Sequence, residues 1–351
     1  MKIAVYTIAK NEQDHVGRWA ASAVDADYRI ILDTGSTDNT VSLAESVGVA
    51  VVTDVVDPWR FDVARNRSLA LVPDDADLCI ALDMDEVLQP GWRQAVEHAV
   101  RRGWTRPRYL YTWSWNEDGS PGLTYYGDKI HARHGYRWKH PVHEVLVPDG
   151  IVERQGVIDM EIHHHPDSSK SRGQYLPLLK VAVEEDPDDD RNAFYYAREL
   201  YYYRRYDEAV VEFKRHLSLP RAVWAPERSR SMRYLAELLP DEREHWLLRA
   251  CGECPERREP WVELAQHYYT VQDWASCYAA ASRALSVTDR PVEYLSEPHA
   301  WGSQPWDLAA LSAYHLGLDA VGFGRRAVEL NPDDERLRRN VVWYERAMNR
   351  D

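Results

Sequence analysis

The sequence predicts an α/β domain with a parallel, doubly wound sheet, followed by an all-α repeat domain. Short apolar runs alternate with helical stretches over residues 1–166, which is typical of parallel strands covered by helices. Residues 179–351 are helical in pattern and contain recurring aromatic and alanine positions, which indicates helix-pair repeats. A polar segment, residues 167–178, is predicted to link the two domains.

Four apolar runs predict the first strands of the sheet, and polar residues follow three of them directly. The runs are Ile3–Ala9, Tyr28–Leu32, Val49–Val52 and the run that begins at Cys79. The intervening helices are predicted over Gln13–Val24, up to Val47 and over Phe61–Leu71. Ligands of open α/β sheets bind outside the carboxyl ends of the strands, so binding groups are expected where these runs end.

The fourth strand ends in the most informative part of the sequence, Asp83-Met84-Asp85-Glu86. Three carboxylates at the end of a buried strand repel one another unless a cation neutralises them. Mg²⁺ and Mn²⁺ are hard cations that take oxygen ligands from carboxylates and from substrate phosphates. We therefore expect a metal–diphosphate site here. The alternative is an acidic strand end that is simply solvated.

Four segments together resemble the successive sequence blocks of family 2 glycosyltransferases. They are Thr7-Ile8-Ala9-Lys10-Asn11-Glu12, Leu32-Asp33-Thr34-Gly35-Ser36-Thr37-Asp38, Ala64-Arg65-Asn66 and Leu82-Asp83-Met84-Asp85-Glu86. Any one block is a weak signal, but four in the right order and spacing make a strong one. The resemblance covers residues 1–165. It implies a GT-A fold, a nucleotide-sugar donor, and Mn²⁺ or Mg²⁺ as a divalent cofactor.

The resemblance also implies which residues hold the nucleotide. Asp33 matches the acid that hydrogen-bonds the base, while Thr7 and Ala9 match the strand end whose backbone contacts the base. Asn11 belongs to the same block and is placed with them.

The acidic block and two arginines complete the implied donor site. Asp83 and Asp85 match the two acids of the Asp-x-Asp motif, of which the second usually carries the metal and the first the ribose or a metal-bound water. Either Arg60 or Arg65 would reach the nucleotide. For Arg65, the alternative is an ordinary helix start with normal capping.

A histidine tract, His163-His164-His165, ends another apolar strand. Imidazole is a common metal ligand, and the resemblance implies that a histidine late in the domain completes the metal site. Strand alternation puts His163 and His165 on one face, so we expect one of these two to be the third ligand. The alternative is a surface tract without a function.

An inverting transfer needs a general base that takes the proton from the attacking hydroxyl. The segment Val142-His143-Glu144 resembles a block in one branch of the family, which makes Glu144 the first candidate. Glu117 and Asp118, in a predicted loop, are the reserves. The alternative for Glu144 is an ion pair with Arg133, Arg137 or Lys139.

Composition narrows the function classes. The net charge of −14 argues against stable binding to nucleic acid. No apolar run has membrane-spanning length and the N-terminus enters a strand directly, so we expect a cytoplasmic protein without membrane contact. Four cysteines are too few for a disulfide scaffold. Fourteen Trp and twenty-one Tyr against four Phe suit both core packing and contact with sugars.

Prolines 220, 255, 291 and 332 close helical segments at the spacing of tetratricopeptide repeats, whose period is about 34 residues. The first copy resembles such a repeat best. Arrays of this kind bind partners or self-associate. We therefore expect the repeats to help bind an acceptor protein or glycan, or to form a homodimer. The alternative is that they only support the catalytic domain.

The interpretation we favour is a metal-dependent glycosyltransferase that moves a sugar from a nucleotide sugar, expected to be a UDP-sugar, to an acceptor hydroxyl with inversion. The alternative is an inactive GT-A fold whose repeats serve as a protein-binding scaffold. The complete set Asp33, Asp83 and Asp85 favours the enzyme, because a decayed site has little reason to keep buried acids together. A dinucleotide-dependent oxidoreductase is disfavoured, since no Gly-x-Gly-x-x-Gly follows the first strand.

Overall fold

The computed structural model describes residues 1–166 and 173–348, and its contacts divide the chain into two compact units, Met1–Glu185 and Asp186–Asp351. The first is an α/β unit and the second is helical, which confirms the predicted fold class. Half of the predicted linker, residues 167–172, lies outside the described residues. The helix over Tyr175–Glu185 groups with the first unit, because the Tyr175 ring packs 6.3 Å from Phe61 and Glu185 pairs with Arg60.

The first unit contains eleven strands and five helices within its described residues. They are β1 (Ile3–Ala9), α1 (Gln13–Ser22), β2 (Tyr28–Asp33), α2 (Thr40–Ser46), β3 (Ala50–Thr53), α3 (Phe61–Ala70), β4 (Leu78–Ala81), β5 (Glu86–Leu88), α4 (Trp92–Arg101), β6 (Arg106–Thr112), β7 (Thr124–Gly127), β8 (Ile130–Ala132), β9 (Tyr136–Lys139), β10 (Val145–Pro148), β11 (Gln155–His164) and α5 (Tyr175–Glu185).

Two sheets carry the candidate site. The larger sheet has the order β3-β2-β1-β4-β8, with the first four strands parallel and β8 antiparallel to β4. The smaller sheet has the order β5-β11-β6-β7, and β9 pairs with β10 in a separate ribbon. Strands β1 and β4 are buried along almost their whole length, which explains why they read as continuous apolar runs.

Tyr109, Tyr111 and Trp113 occupy every second position, so strand alternation places them on one face, yet they differ in burial. Tyr109 and Tyr111 are buried, whereas Trp113, just after the strand, is 43% exposed. Successive side chains of a strand point to opposite faces, but the register of the neighbouring strands decides how far each ring is covered. The rings of this segment therefore divide into core residues and one exposed tryptophan.

A chain of buried polar groups runs through the core beside β4. The Trp138 indole donates to the Tyr6 hydroxyl (2.9 Å), and that hydroxyl lies 2.8 Å from Nε2 of His131. Nδ1 of His131 lies 2.8 Å from the carbonyl oxygen of Ala132. Because a carbonyl can only accept, Nδ1 carries the proton and Nε2 accepts from Tyr6. Burial lowers the pKa of His131 to about 4, so the imidazole is neutral in the folded protein.

This neutral histidine should make the first unit sensitive to acid. The pKa of an unfolded histidine is about 6.5, so as the pH falls from 6.5 to 4 the unfolded chain binds a proton that the folded chain refuses. Stability is complete above this range and should fall by about 3 kcal/mol across it. We expect His131→Gln to flatten the pH dependence in urea unfolding between pH 7 and 4. The exposed His134→Gln is the matched control, and equal slopes for both variants would contradict the assignment.

The second unit is a succession of helices. They are α6 (Asp190–Tyr202), α7 (Tyr206–Ser218), α8 (Ala225–Leu238), α9 (Arg243–Glu253), α10 (Arg258–Thr270), α11 (Trp274–Ser286), α12 (Pro298–Trp301), α13 (Gln304–His315), α14 (Val321–Leu330) and α15 (Glu335–Met348), with a short 3-10 turn over Pro240–Glu242. Each predicted repeat forms a helix pair, α6–α7, α8–α9, α10–α11 and α13–α14. Buried alanines and aromatics, such as Phe194, Ala197 and Phe213, fill the contacts within and between these pairs.

Among the described helices, none combines the length and the apolar character that crossing a membrane requires.

Candidate functional site

The order of strands in the larger sheet places a crevice at the acidic strand end. From β1 the chain continues to β2 and β3 on one side, and β4 lies on the other side of β1. Successive strands are therefore added on one side of β1 and then on the other, so the strand order reverses between β1 and β4. Open α/β sheets bind ligands at such a point. Three predicted site residues, Ala9, Asp33 and Asp83, end or follow these strands, so the structure brings them to one edge.

Asp33 is held by the turn that follows it. Its carboxylate accepts hydrogen bonds from the backbone N–H groups of Gly35 and Ser36, each at 3.2 Å, and the side chain is almost completely buried. Gly35 has φ = 104°, a conformation that side chains other than glycine rarely adopt. The carbonyl of the neighbouring Ala9 accepts from Thr34. The strand ends at the predicted base pocket are thus fixed by local hydrogen bonds.

Asn11 ties the loop after β1 to the loop after β2. Its N–H donates to Ser36 Oγ (2.8 Å), and its Oδ1 accepts from the N–H of Thr37 (2.8 Å). Asn11 has φ = 57°, a left-handed conformation that asparagine tolerates better than most residues. Thr7 lies deeper and is fully buried, with its carbonyl accepting from Ser68 (2.8 Å). Asn11 and Thr7 therefore shape the wall of the crevice through the backbone.

Asp83 lies between two cations. Its carboxylate accepts from Arg65 Nη2 (2.6 Å) and from Lys129 Nζ (2.8 Å). Lys129 also donates to the buried carboxylate of Glu86 (2.6 Å), and Arg65 Nε donates to Glu144 (2.6 Å). We refer to these five residues as the charge cluster. Of the three acids that follow β4, Asp83 and Glu86 are therefore neutralised by protein side chains in this structure.

The charge cluster and its burial shift the pKa values of Asp83 and Glu86 in opposite directions. Burial alone would raise the pKa of Asp83, but the adjacent Arg65 and Lys129 outweigh it and hold that pKa well below its usual range. Burial raises the pKa of Glu86, against the attraction of Lys129. Asp83 is therefore ionised at neutral pH, and Lys129 stabilises the charged form of both acids.

Arg65 carries a hydrogen-bond donor that the fold leaves unused. The guanidinium is buried, and its Nη1 has no hydrogen-bond partner among the residues that the structure describes. The Trp138 ring lies 5.1 Å from its central carbon. The side-chain amide of Asn66 donates to the Trp138 carbonyl and accepts from the Trp138 N–H (2.9 Å each). A buried unsatisfied donor is costly, which is an argument for a ligand that accepts from it.

Asp85 faces a histidine whose orientation is fixed. Nε2 of His164 lies 3.3 Å from Asp85 Oδ2, and Nδ1 of His164 lies 2.9 Å from the carbonyl oxygen of Trp113. Because that carbonyl accepts from Nδ1, Nε2 of the neutral ring points its lone pair at the carboxylate. Burial opposes a positive charge on His164, but Asp85 and the Trp113 carbonyl outweigh burial and raise its pKa. The two side chains can therefore share a proton, or a metal cation when the ring is neutral.

The two histidines that the alternation pattern singled out lie elsewhere. His163 Nε2 is 3.0 Å from the exposed Glu161 carboxylate, and His165 meets Asp85 through its backbone N–H (2.8 Å). His164 lies on the opposite face of β11, and it is the side chain in contact with Asp85. The role of His163 or His165 as a metal ligand stays a prediction.

The remaining predicted residues, Arg60, Glu117 and Asp118, lie outside the charge cluster. Arg60, at the start of α3, forms ion pairs with Asp62 (2.9 Å) and Glu185, so Arg65 is the arginine that meets the acidic block. Glu117 and Asp118 lie in the exposed hairpin loop between Trp115 and Pro121. Hydrogen bonds from Ser120 lower the pKa of Asp118. Neither of these acids contacts the charge cluster.

Outside this site, three possible metal-ligating side chains come together in the second unit: Glu263, Glu297 and His299. Arg233 already forms ion pairs with both carboxylates, and Arg230 lies 3.1 Å from Glu297. This group is therefore a charge-balanced network of side chains.

Sequence reasoning missed Lys129 and His164 as members of the site. Lys129 lies 46 residues after Asp83 in the chain and directly precedes β8, which pairs with β4, and no local motif marks it. His164 was visible as part of the tract, but alternation alone does not decide which face meets Asp85.

No family model matches the chain. Among curated proteins, an uncharacterised glycosyltransferase of Rickettsia bellii is 34% identical over 110 residues, which is 31% of this chain and 36% of the relative. The lipopolysaccharide core biosynthesis glycosyltransferase LpsC of Rhizobium meliloti is 25% identical over 169 residues (43% and 59%). A TPR repeat-containing protein of Synechococcus elongatus is 28% identical over 159 residues (44% and 37%). The chain thus spans between about a third and three fifths of these relatives.

Solved structures show the same two kinds of similarity. Glucosyl-3-phosphoglycerate synthase of Mycobacterium tuberculosis, in complex with Mn²⁺, UDP and phosphoglyceric acid, is 27% identical over 31% of this chain and 43% of its own, with a TM-score of 0.28. The TPR protein YrrB is 14% identical over 49% and 85%, with a TM-score of 0.39. At these TM-scores the structures add nothing to the fold assignment. The curated relatives confirm the resemblance to glycosyltransferases and to tetratricopeptide repeat proteins.

Proposed function

We propose that the first unit is a metal-dependent glycosyltransferase that moves a sugar from a nucleotide sugar, expected to be a UDP-sugar, to an acceptor hydroxyl. The carrying observation is that Asp33, Asp83 and Asp85 follow strand ends at one crevice, beside a buried Arg65 with an unused donor. The oxygen atoms of a diphosphate can accept a hydrogen bond from this unpaired N–H group of Arg65. The curated relatives named glycosyltransferases support the same conclusion.

Asp85 and His164 are the residues that would hold the divalent cation, Mn²⁺ or Mg²⁺. Their facing atoms are 3.3 Å apart, and the Nδ1 hydrogen bond to a backbone carbonyl is the usual way in which a protein orients a metal-ligating imidazole. When bound, the cation would neutralise the leaving diphosphate. Such cations usually complete their coordination with substrate phosphates and water, so two protein ligands suffice.

The other residues would bind and orient the donor. In this proposal Asp33 accepts a hydrogen bond from the uracil base, and Thr7, Ala9 and Asn11 form the wall around it. Arg65 directs Nη1 at the diphosphate, where a charged donor in a buried site stabilises the developing negative charge. Asp83 holds Arg65 in place and lies where the ribose is expected.

The proposed reaction is a single in-line displacement with inversion at the anomeric carbon. A carboxylate takes the proton of the acceptor hydroxyl as its oxygen attacks, and Glu144, Glu117 and Asp118 are the candidates. Glu144 is largely buried and already accepts from Arg65. This ion pair gives Glu144 a second role, the positioning of Arg65.

Replacing Glu144 by glutamine separates these two roles. Glutamine keeps the shape but removes the charge that holds Arg65 Nε, so we expect UDP affinity to fall about tenfold, which corresponds to about 1.4 kcal/mol. Calorimetric titration of UDP with Mn²⁺ measures this. Lower turnover with unchanged UDP affinity would instead mark Glu144 as the base alone. Asp149→Asn, at an exposed position, is the control.

The helical unit would aid acceptor binding or dimerisation. Its helix pairs match the repeat pattern, and a relative carries the TPR name. The competing function, a scaffold with an inactive first unit, predicts no nucleotide binding at all.

A thermal-shift panel of nucleotides and nucleotide sugars, each with Mn²⁺ and with chelator, tests the proposal. A ligand at 100 times its dissociation constant adds about 2.7 kcal/mol of stability, which shifts the melting temperature visibly. We expect UDP and one UDP-sugar to stabilise the protein only with metal. The absence of any shift would favour the scaffold.

A further inference from the structure

Trp113 places an open aromatic face directly beside the proposed metal ligands. Its ring stacks on His164 with centroids 4.3 Å apart and planes 20° apart, while 43% of the residue remains exposed. The Trp113 carbonyl also accepts from Nδ1 of the same histidine. His164 covers one face of the indole and Tyr111 lies 6.3 Å away with its plane tilted by 45°, so the opposite face is the one that a ligand can reach.

The order of the strand ends indicates which part of a nucleotide sugar would lie beside Trp113. The predicted base pocket lies at β1 and β2, the acids follow β4, and His164 ends β11 in the smaller sheet. Trp113 follows β6, the next strand beyond β11. A nucleotide sugar has its base, diphosphate and sugar in the same sequence, so Trp113 lies past the diphosphate on the sugar side.

Distance separates the acceptor from the transferred sugar. A sugar ring on the outer face of Trp113 would lie about 4 Å beyond the indole, the usual carbon contact distance. It would therefore lie about 8 Å from the plane of His164, when the 4.3 Å stacking distance is added. The donor sugar is bonded directly to the diphosphate and must stay closer to Asp85 and His164 than this.

The surroundings fit a saccharide better than a purely apolar partner. The indole N–H of Trp115, two residues further along the chain, donates to the His164 carbonyl (2.9 Å). The Trp115 ring stacks on His165, with ring centroids 5.9 Å apart. The adjoining hairpin loop carries the exposed polar side chains of Asn116, Glu117 and Asp118. Sugars offer an apolar C–H face for an aromatic ring and hydroxyl groups for such polar neighbours.

We propose that Trp113 is the platform on which a saccharide acceptor stacks. The inference rests on the proposed transferase function and specifies its acceptor as a glycan, with the attacking hydroxyl directed towards the Asp85–His164 pair. Trp113 would act by contact with the acceptor ring.

The test measures saccharide and nucleotide binding separately. Methyl hexosides and linear trisaccharides are titrated by saturation-transfer NMR in the presence of UDP and Mn²⁺, and UDP is titrated by calorimetry. We expect Trp113→Ala to weaken saccharide binding at least tenfold more than UDP binding. Trp113→Phe, which retains an aromatic face, should recover most of the affinity. Trp343→Ala, at an exposed tryptophan of the helical unit, is the matched control.

Each outcome bears on one proposal or the other. UDP binding without any saccharide binding overturns the acceptor platform and leaves the transferase standing, as does saccharide binding that Trp113→Ala leaves intact. If Trp113→Ala weakens the UDP-sugar as much as the saccharide, the platform belongs to the donor and the inference fails. Saccharide binding that depends on Trp113 in a protein that binds no nucleotide would keep the platform and overturn the transferase.

Discussion

Replacement of Asp85 by asparagine is expected to abolish metal-dependent donor binding and to lower turnover by about 10³-fold or more. In the proposed mechanism the cation held by Asp85 would supply several kcal/mol of charge stabilisation to the leaving diphosphate. The carboxylate contributes little to the fold, because its side chain lies 3.3 Å from His164 Nε2, to which the amide N–H of asparagine can donate. We therefore expect the unfolding free energy to change little.

Two measurements check this expectation. The Mn²⁺-dependent thermal shift with UDP should disappear in Asp85→Asn, and product formation from the UDP-sugar should fall with it. Asp149→Asn removes a carboxylate from an exposed turn and should behave as the wild type. A variant at Asp85 that keeps the metal-dependent shift would remove Asp85 from the metal site.

Replacement of Lys129 by methionine is expected to destabilise the protein by about 3–5 kcal/mol, the usual cost of breaking a buried ion pair by removing one partner. Lys129 neutralises both Asp83 and Glu86, and Glu86 is only 1% exposed. Without Lys129, Asp83 still forms its ion pair with Arg65. Glu86 has no such partner left among the described residues and accepts hydrogen bonds from the Tyr111 hydroxyl and a backbone N–H.

A second substitution tests whether charge is the cause. Glu86→Gln in the Lys129→Met background removes the uncompensated carboxylate, so we expect it to recover about half of the lost free energy in urea unfolding. Lys180→Met, at an exposed helix position of the same unit, is the control and should cost little. If the double variant is as unstable as the single one, lost packing of the lysine stem explains the effect.

The parallel strands of the larger sheet can be predicted from the sequence alone. β1, β2 and β3 lie within about one residue of the predicted runs, because each is a short apolar run bounded by polar or turn residues, although the edge strand β3 is largely exposed. The convergence of Asp33 and Asp83 also followed from sequence, since it needs only that parallel strands end at one edge. These inferences use local patterns and one general rule of topology.

The charge cluster could not be predicted in the same way. Lys129 reaches Asp83 through an antiparallel strand, and Glu144 reaches Arg65 across 79 positions of the chain, so neither contact leaves a local pattern. The burial of β11 alternates without interruption, so His164 shares the buried face of Ile158, Met160 and Ile162. The alternation pattern does not show that this face, rather than that of His163 and His165, meets Asp85.

The hydrogen bonds of Asn11 to Ser36 and Thr37 have a thermodynamic consequence for the donor. Fixing the backbone of a free loop costs about 1–2 kcal/mol per residue, and this cost usually reduces the affinity of a ligand that has to order its own pocket. Here the two loops are joined before any nucleotide arrives, so that entropy is already lost during folding. If the proposed base pocket lies here, it is preorganised, and we expect it to discriminate against bases whose shape does not match.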